Sequence, residues 1–563
     1  MPSAPSYVHG TSPHPLRPTT VHQVLAEAAS NAPDGLALVA SHQGVRWSWS
    51  VLRARVANAA ARLLGIGLEP GDRIGILAPN RAEWVVAQFA AAEAGLVLVN
   101  LNPAYRAPEL EHALAHAGCR ALITQSAFKS SRYLDMLRQI CPELDGAGAG
   151  ALSAARLPAL RQVVVLDEEA PAGTLSWRAL EAPATDAERA RLTEVAQAIQ
   201  FDDVVNIQFT SGTTGHPKAA TLTHHNIVNN AWLVGERMAL GRDDRLCIPV
   251  PLYHCFGMVM GTLTCAVHGA TMVLPSAGFD AHAALQAMST ERCTAVHGVP
   301  TMFIAFLDDP DFARLDLSAL RTGIMAGAPC PVELMQRVMH DMHLAEITIA
   351  YGMTETGPVS FQTAVDDPVQ RRVETVGRVL PHTEVKIVDG DRRVIPRGET
   401  GELLTRGYCV MPGYWADPER TAQAIDAAGW IASGDLAVID DEGYCRIVGR
   451  TKDMLIRGGE NIYPREIEEV LYTHPKVDQA EVIGVPDPRY GEEVCAWVKL
   501  RAGETCSEEE LRAFCRERMA HFKVPRYLRF VDAFPTTVTG KVQKFAMREL
   551  MRRELAALEE AAR

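Results

Sequence analysis

Residues 204–218 have the sequence VVNIQFTSGTTGHPK, and this stretch decides how the surrounding chain folds. In its first half, Val205, Ile207 and Phe209 alternate with polar residues, a period of two that predicts a β-strand. A run of threonine, serine and glycine ends the strand, and a helical pattern begins at about His225. A strand that leads through a glycine-rich turn into a helix is typical of α/β proteins, whose ligands bind at the carboxyl ends of strands.

The turn within this stretch offers a hydroxyl or an unhindered backbone N–H at consecutive positions from Thr210 to Thr214. Glycine lets the backbone approach a ligand closely and hydroxyls donate freely, so such a turn can wrap phosphate oxygens, with Lys218 adding a positive charge. The spacing differs from G-x-x-x-x-G-K-[ST], so this is not a Walker A loop. The alternative interpretation is an ordinary strand-to-helix turn built from common turn residues.

Short apolar runs alternate with helix-period segments on both sides of this turn, which predicts an α/β fold with layers of largely parallel sheet. The predicted strands are 73–78, 96–101, 121–124, 162–166, 246–250, 271–274, 295–296, 323–325 and 347–350, and the predicted helices between the first of them are 83–94 and 108–117. The Pro- and Ser-rich residues 1–20 are expected to form a flexible N-terminus.

The composition of the chain changes near residue 450, where a stretch rich in charged residues and glycine begins. Beyond it the pattern predicts a small α+β unit, with a helix over 465–473, strands near 480–485 and 494–500, and a helix capped by Ser507. We therefore predict a large N-terminal domain of layered α/β subdomains over 21–451 and a C-terminal domain over 452–563, a size within the usual range for a domain.

Composition excludes several classes of protein. The 563 residues are 47% hydrophobic and 22% charged, which is typical of a globular chain and not of a disordered one. The net charge of −13 provides no global positive field for nucleic acid. The longest apolar stretch, 257–274, contains a histidine and two glycines, so we interpret it as a buried helix and strand rather than a transmembrane segment.

Cysteine usage and the N-terminus favour a cytoplasmic location. None of the 12 cysteines has C-x-x-C spacing, and the first 20 residues contain a single arginine and no apolar stretch of the kind found in secretory signals. We therefore expect reduced thiols and no targeting peptide.

A second chemical motif, YGMTETG at 351–357, follows the predicted strand 347–350. At the carboxyl end of a strand, Glu355 can hold Mg²⁺ together with phosphate oxygens, and Tyr351 can stack on a base. The alternative is an N-capping turn with a solvated glutamate.

Other signals are weak when taken singly. Asp435 in SGDL can accept hydrogen bonds from both hydroxyls of a ribose, but an Asx turn explains it equally well. Arg450 belongs to a charged linker, Lys541 ends the turn PTTVTGK, and His254 in PLYHCFG is as readily a core histidine. His112 and His116 share a predicted helix face but lack the further ligands of a zinc site.

The order of these motifs resembles the adenylate-forming (AMP-binding) superfamily, which contains acyl-CoA synthetases, carrier-loading adenylation domains and beetle luciferases. The shared elements, from residue 20 to 550, are FTSGTTGHPK, PLYHCFG, MAGAP, YGMTET, GELLTRG, GYW, SGDL, GRTKDMLIRGGENIYPREIE and PTTVTGK. In its short sequence motifs the chain most resembles the medium-chain acyl-CoA synthetase family member 2 type, with which it shares PLYHC, RGYCVM, GYW and RGGENIYP.

The resemblance implies an acyl-CoA synthetase-like fold with a mobile C-terminal domain, and two half-reactions. A carboxylate attacks the α-phosphorus of ATP to form an acyl-adenylate and pyrophosphate, and CoA then displaces AMP. The implied β/γ-phosphate contacts are Thr210, Ser211, Gly212, Thr213, Thr214, Gly215, His216, Pro217 and Lys218. Also implied are Thr354 at the α-phosphate, Glu355 at Mg²⁺, Tyr351, Gly327, Ala328 and Pro329 at adenine, and Asp435 and Arg450 at ribose.

The resemblance also assigns residues to catalysis and domain movement. Lys541 is expected to reach the α-phosphate and the acyl carboxylate, and His254 to border and close the acyl site. After adenylation the small domain is expected to rotate about Lys452, which removes Lys541 and brings Gly458 and Gly459 against the pantetheine arm of CoA.

The expected acid is a medium-chain fatty acid. Some long-chain relatives carry a bulky aromatic gate where this chain has Met258, and the neighbouring candidates Phe256, Met302 and Phe303 are apolar. The alternatives are an aryl acid, loading of a separate carrier protein, and a non-catalytic nucleotide-binding protein. Only about 20 residues follow Lys541, too few for an attached carrier domain. The expected partners are small molecules, and the oligomeric state is left open, with a homodimer as one alternative.

Overall fold

The computed structural model describes residues 4–148, 150–210, 217–328, 330–457, 460–487, 489–536 and 542–561, apart from the side chains of residues 461 and 556–561. Of the predicted site residues, Ser211, Gly212, Thr213, Thr214, Gly215, His216, Pro329, Gly458, Gly459 and Lys541 lie outside the described residues.

An eight-stranded sheet carries the stretch from which the sequence argument starts. Its first six strands are parallel and its last two antiparallel, and the buried apolar residues of the parallel strands explain their prediction as buried. In spatial order the strands are Leu175–Ser176, Gln162–Val165, Cys119–Thr124, Arg73–Leu77, Val97–Asn100, Val204–Thr210, Lys218–Thr223 and Gly413–Tyr414.

A nine-stranded sheet forms the second layer and is parallel through its five central strands and Leu36–Ala40. In spatial order its strands are Arg378–Val379, Val359–Gln362, Glu346–Gly352, Thr322–Ala326, Ala295–Gly298, Arg245–Cys247, Thr271–Leu274, Leu36–Ala40 and Val45–Ser48. The strand predicted over 246–250 is shorter than expected, because the chain leaves the sheet after Cys247.

Helices separate and cover the two sheets. Every residue of Ala82–Glu93 except Glu83 is buried, and one hydrophobic core joins Ile74 of the first sheet to Val273 and Ile324 of the second. This arrangement confirms the predicted α/β layers. The helices of this part are Val21–Asn31, Trp49–Gly65, Ala82–Glu93, Ala107–Ala117, Tyr133–Ile140, Trp177–Glu181, Asp186–Ala198, His224–Arg237, Cys255–Gly257, Met258–Leu263 (a π-helix), Thr264–His268, Ala281–Thr290, Pro300–Leu307, Val332–Asp341, Val369–Glu374 and Pro418–Ala424.

A five-stranded antiparallel sheet follows the two large ones. Its strands are Tyr7–His9, Thr383–Val388, Gly401–Gly407, Ile431–Ile439 and Cys445–Arg450. The chain then passes through a turn that contains Lys452 and enters another sheet at Leu455. Lys452 as the pivot of a domain movement stays a prediction.

The prediction of a flexible N-terminus over 1–20 is wrong for the described residues of that segment. Tyr7–His9 pairs with the edge strand Thr383–Val388, whose backbone groups would otherwise lack a partner on that side. Farther along, the Arg17 N–H donates to Oδ1 of Asn229 at 2.7 Å. Proline and serine predict a loop locally, but the available sheet edge orders the segment.

The C-terminal unit is α+β, as predicted. Its strands in spatial order are Glu460–Ile462, Leu455–Arg457, Gly491–Leu500 and Val477–Asp487, with Tyr527–Phe530 also paired to Gly491–Leu500, and its helices are Pro464–Tyr472, Glu508–Arg516 and Lys544–Ala561. The Ser507 hydroxyl accepts from the Glu510 N–H at 3.1 Å and caps the second helix. No helix in the described part of the chain has the length and apolar character needed to cross a membrane.

Two buried histidines join the first helix to the helix His224–Arg237. The Val21 N–H donates to Nδ1 of His224 at 3.1 Å, and His22 Nδ1 lies 3.0 Å from the Thr20 hydroxyl. Burial lowers the pKa of His22 to about 4, with a smaller contribution from the charge of the nearby Arg53. Burial likewise lowers the pKa of His224 to about 3, with a smaller contribution from His22. Both side chains are therefore neutral in the folded protein.

These two pKa values predict acid-sensitive stability. The unfolded chain takes up protons near pH 6.5 that the folded chain takes up only near pH 4 and below, so the free energy of unfolding falls as the pH drops below 6.5. At pH 5 we expect a loss of about 2 kcal/mol per histidine relative to pH 7. Thermal unfolding at both pH values tests this. His224→Asn keeps an acceptor for the Val21 N–H and should show a smaller drop in Tm; an equal drop would contradict the assignment.

Candidate active site

The turn predicted to bind phosphate, 210–218, connects two antiparallel strands. Thr210, the last residue of Val204–Thr210, pairs with Lys218, the first residue of Lys218–Thr223. The helix predicted from about His225 begins at His224, and a strand of six residues that was not predicted, Lys218–Thr223, lies between the turn and this helix. Lys218–Thr223 was missed because its sequence, KAATLT, is short and contains alanine, which is a weak strand former.

Glu355 is brought to the base of this turn. It lies in the 3₁₀ turn Thr354–Thr356, just after the strand Glu346–Gly352, and its Oε1 accepts from the Tyr414 hydroxyl at 2.9 Å and the Thr210 hydroxyl at 3.5 Å. Burial, and then the charge of Glu355, raises the pKa of Tyr414, which therefore stays a proton donor. The Lys218 ammonium lies 5.0 Å from the centre of the Tyr414 ring.

This arrangement fits a divalent cation. A carboxylate beside a phosphate-binding turn is the kind of ligand that Mg²⁺ takes, usually with phosphate oxygens completing the shell. Both hydroxyl contacts of Glu355 use Oε1, so they orient the carboxylate and, among the residues that the structure describes, leave its other oxygen without a hydrogen-bond donor. Sequence reasoning assigned no role to Tyr414, although it belongs to the GYW motif.

Tyr351, Asp435 and Arg450 meet at the junction of two sheets. The Tyr351 hydroxyl donates to Oδ2 of Asp435 at 2.5 Å, across 84 positions of sequence, and the Arg450 guanidinium donates to Oδ1 at 3.1 Å. Asp435 is buried and stands opposite Arg450 in neighbouring strands. Burial, and then Asp435, raises the pKa of Tyr351. The three residues predicted to surround a nucleoside thus form one hydrogen-bonded group.

His254 lies at the start of a helix. Its Nδ1 accepts from the Phe256 N–H at 3.2 Å and so caps Cys255–Gly257. The next residue, Cys255, has its sulfur 3.8 Å from the Thr354 hydroxyl oxygen, so this helix start contacts the turn that carries Glu355.

The four predicted acyl-site residues are buried on three helical segments. Phe256 packs against His297 with ring centres 5.3 Å apart, and Phe303 packs edge-on against Phe306 at 5.8 Å. Met302 lies beside Phe303 on Pro300–Leu307, and Met258 begins the π-helix that follows His254. The surroundings of Met258 are less apolar than expected, because the Asn100 amide lies 3.5 Å from its sulfur.

The other described residues of the predicted site lie next to strand ends or in the turn before the C-terminal unit. Gly327 has a φ of +87°, a backbone conformation that residues with a side chain rarely adopt. It directly follows the strand Thr322–Ala326, and Ala328 comes next. Pro217 directly precedes Lys218. Burial, and then the Arg450 charge, lowers the pKa of Lys452.

The chain belongs to the AMP-binding enzyme family, which matches residues 25–415, and the C-terminal domain of the same family matches residues 466–541. It is an AMP-forming acid–CoA ligase, an acyl-CoA synthetase that acts on ATP, CoA and a carboxylic acid.

Named relatives span almost the whole chain. It is 47% identical over 553 residues to "Medium-chain acyl-CoA ligase ACSF2, mitochondrial" of Danio rerio, covering 98% of this chain and 91% of the relative. It is also 47% identical to "Putative acyl-CoA synthetase YngI" of Bacillus subtilis (strain 168), covering 94% of this chain and 97% of the relative. Among solved structures, the anthranilate CoA ligase AuaEII in complex with anthranoyl-AMP superposes with a TM-score of 0.84 at 27% identity, covering 96% and 99% of the two chains.

Proposed function

We propose that this ligase joins a medium-chain fatty acid to CoA through an acyl-adenylate, releasing AMP and pyrophosphate. The observation that carries the proposal is the pair of groups built around Glu355 and Asp435, one at a phosphate-binding turn and one suited to a ribose. The near full-length similarity to a ligase described as medium-chain supports the choice of acid.

The first half-reaction joins an anion to a polyanion, so the protein contributes chiefly alignment and positive charge. We infer that Lys218 and the turn before it hold the β/γ-phosphates, and that Thr354 orients the α-phosphate. Mg²⁺ held by Glu355 would neutralise phosphate charge. The carboxylate of the substrate acid then attacks the α-phosphorus, the bond from phosphorus to the bridging oxygen breaks, and pyrophosphate leaves. Lys541 is proposed to stabilise the negative charge on the α-phosphate and the acyl carboxylate.

In the second half-reaction the CoA sulfur attacks the acyl carbonyl carbon, the bond from that carbon to the AMP oxygen breaks, and the thiol proton is released. We infer that the C-terminal unit turns about Lys452 between the two steps and brings Gly458 and Gly459 to the pantetheine arm. The place of Lys452, in the turn between one sheet and the next, supports this role.

The identity of the acid is tested by chain length. Each CH₂ group that is buried contributes about 0.8 kcal/mol, so kcat/KM is expected to rise about four-fold per carbon until the pocket ends, at medium length. The measurement is kcat/KM for straight-chain acids from acetate to palmitate, with benzoate and a cinnamate alongside. A maximum at benzoate or cinnamate would contradict the fatty acid, and a maximum at palmitate would contradict the medium-chain limit.

We also propose a cytoplasmic location, which the 12 free cysteines support, because reduced thiols are typical of that compartment. The Danio rerio relative carries the word "mitochondrial" in its name, whereas the Bacillus subtilis relative does not. Fractionation of the native cells followed by immunodetection distinguishes the two locations. A homodimer stays a prediction, which light scattering of the full chain tests.

A further inference from the structure

A chain of three buried side-chain amides runs beneath the candidate site. The Asn100 amide donates to the carbonyl of Tyr253 at 3.0 Å, and the Asn206 amide donates to the carbonyl of Leu98 at 2.8 Å and to Oδ1 of Asn100 at 2.9 Å. The Gln208 amide then donates to Oδ1 of Asn206 at 2.9 Å. Each of the three amide side chains is at most 2% exposed.

The direction of this chain is determined by its two backbone carbonyls. A carbonyl oxygen only accepts, so the nitrogens of Asn100 and Asn206 must point at Tyr253 and Leu98, and their oxygens must face the next amide. Gln208 must then present its nitrogen to Asn206 and its oxygen away from it. That oxygen, Oε1, is buried and has no hydrogen-bond partner among the residues that the structure describes.

The unpartnered oxygen belongs to a side chain between the two ends of the candidate site. Asn206, Gln208 and Thr210 share one face of their strand because side chains alternate, and Thr210 contacts Glu355 at the phosphate end. The Gln208 nitrogen lies 4.0 Å from the sulfur of Met258 on the acyl side. An acyl chain that extends from the reacting carboxylate toward Met258 therefore passes Gln208.

We propose that Gln208 Oε1 accepts a hydrogen bond from a hydroxyl group on the acyl chain, so that hydroxylated medium-chain acids are the preferred substrate class of this ligase. The proposal rests on the proposed function and refines it. A buried acceptor without a donor is costly, and a site built to bond a hydroxyl discriminates against the analogue that lacks it. An unsubstituted chain leaves Oε1 unpartnered, whereas a hydroxyl at the matching carbon satisfies it.

The test compares the best straight-chain acid from the chain-length series with each of its monohydroxy derivatives. In the wild-type protein we expect at least one derivative to exceed the parent acid in kcat/KM by about ten-fold. In Gln208→Met, which has a similar volume and no carbonyl oxygen, this ratio is expected to fall below one. Gln162→Met is the matched control, and this variant should keep the wild-type ratio. Gln162 is a buried glutamine at the amino end of a strand in the same sheet, and its Oε1 also has no partner among the described residues.

Two results would overturn the proposal: no hydroxy acid that exceeds its parent in the wild-type protein, or the same preference in Gln208→Met as in the wild type. If Gln208→Met does not fold, the wild-type series alone decides. Failure of the proposed function has a different signature, because the wild-type protein would then turn over neither the straight-chain acids nor their hydroxy derivatives.

Discussion

Glu355→Gln is expected to reduce acid-dependent ATP–pyrophosphate exchange by about 10²- to 10³-fold, the range for removing one positioned group that stabilises charge in a transition state. Glutamine keeps an oxygen that can accept from the Tyr414 hydroxyl, so the turn Thr354–Thr356 should retain its position. The variant loses the negative charge that would hold Mg²⁺ against the phosphates. The variant therefore tests the charge of Glu355 while the side chain keeps its size and its hydrogen bond.

Glu346→Gln is the matched control. Glu346 begins the strand Glu346–Gly352, whose other end leads to Glu355, and its carboxylate pairs with the Arg321 guanidinium at 2.6 Å. It should change exchange by less than about two-fold, as expected for a partly exposed ion pair. Raising the Mg²⁺ concentration should recover part of the lost activity in Glu355→Gln only. An exchange rate within a few-fold of wild type in that variant would show that Glu355 does not hold the cation.

Lys541→Ala is expected to lose adenylation by about a hundred-fold or more while keeping most of the second half-reaction. The basis is the resemblance, which places Lys541 at the α-phosphate in the first step and away from the site in the second. The measurements are pyrophosphate exchange for the first step and thioester formation from chemically prepared acyl-AMP for the second.

Lys499→Ala serves as the control for Lys541, since Lys499 lies in the same unit and its ammonium pairs with Asp478 at 2.6 Å on a partly exposed strand. Both half-reactions should stay close to wild type in this variant. An equal loss in both half-reactions of Lys541→Ala would contradict a small domain that exchanges two positions.

The alternation of strands and helices was predictable because its signals are local. Buried parallel strands are continuous apolar runs, as in Arg73–Leu77 and Val97–Asn100, and each prediction of such a run needs only a few consecutive residues. Turn chemistry is local as well, so the stretch beginning at Thr210 was recognisable as a candidate phosphate site. Local signals failed where a residue distant in sequence determines the secondary structure. Tyr7–His9 is a strand because it pairs with the edge strand Thr383–Val388.

The order of motifs along the chain, by itself, determined the family, the reaction type and the candidate residues Glu355, Asp435 and Arg450. Only the tertiary structure decided which side chains meet. Tyr414 reaches Glu355 across 59 positions, and Asn206 reaches Asn100 across 106. Such pairs depend on strand order and register, which the pattern of one segment does not contain, and a polar residue in a strand has the same local signature whether it faces water or another buried amide.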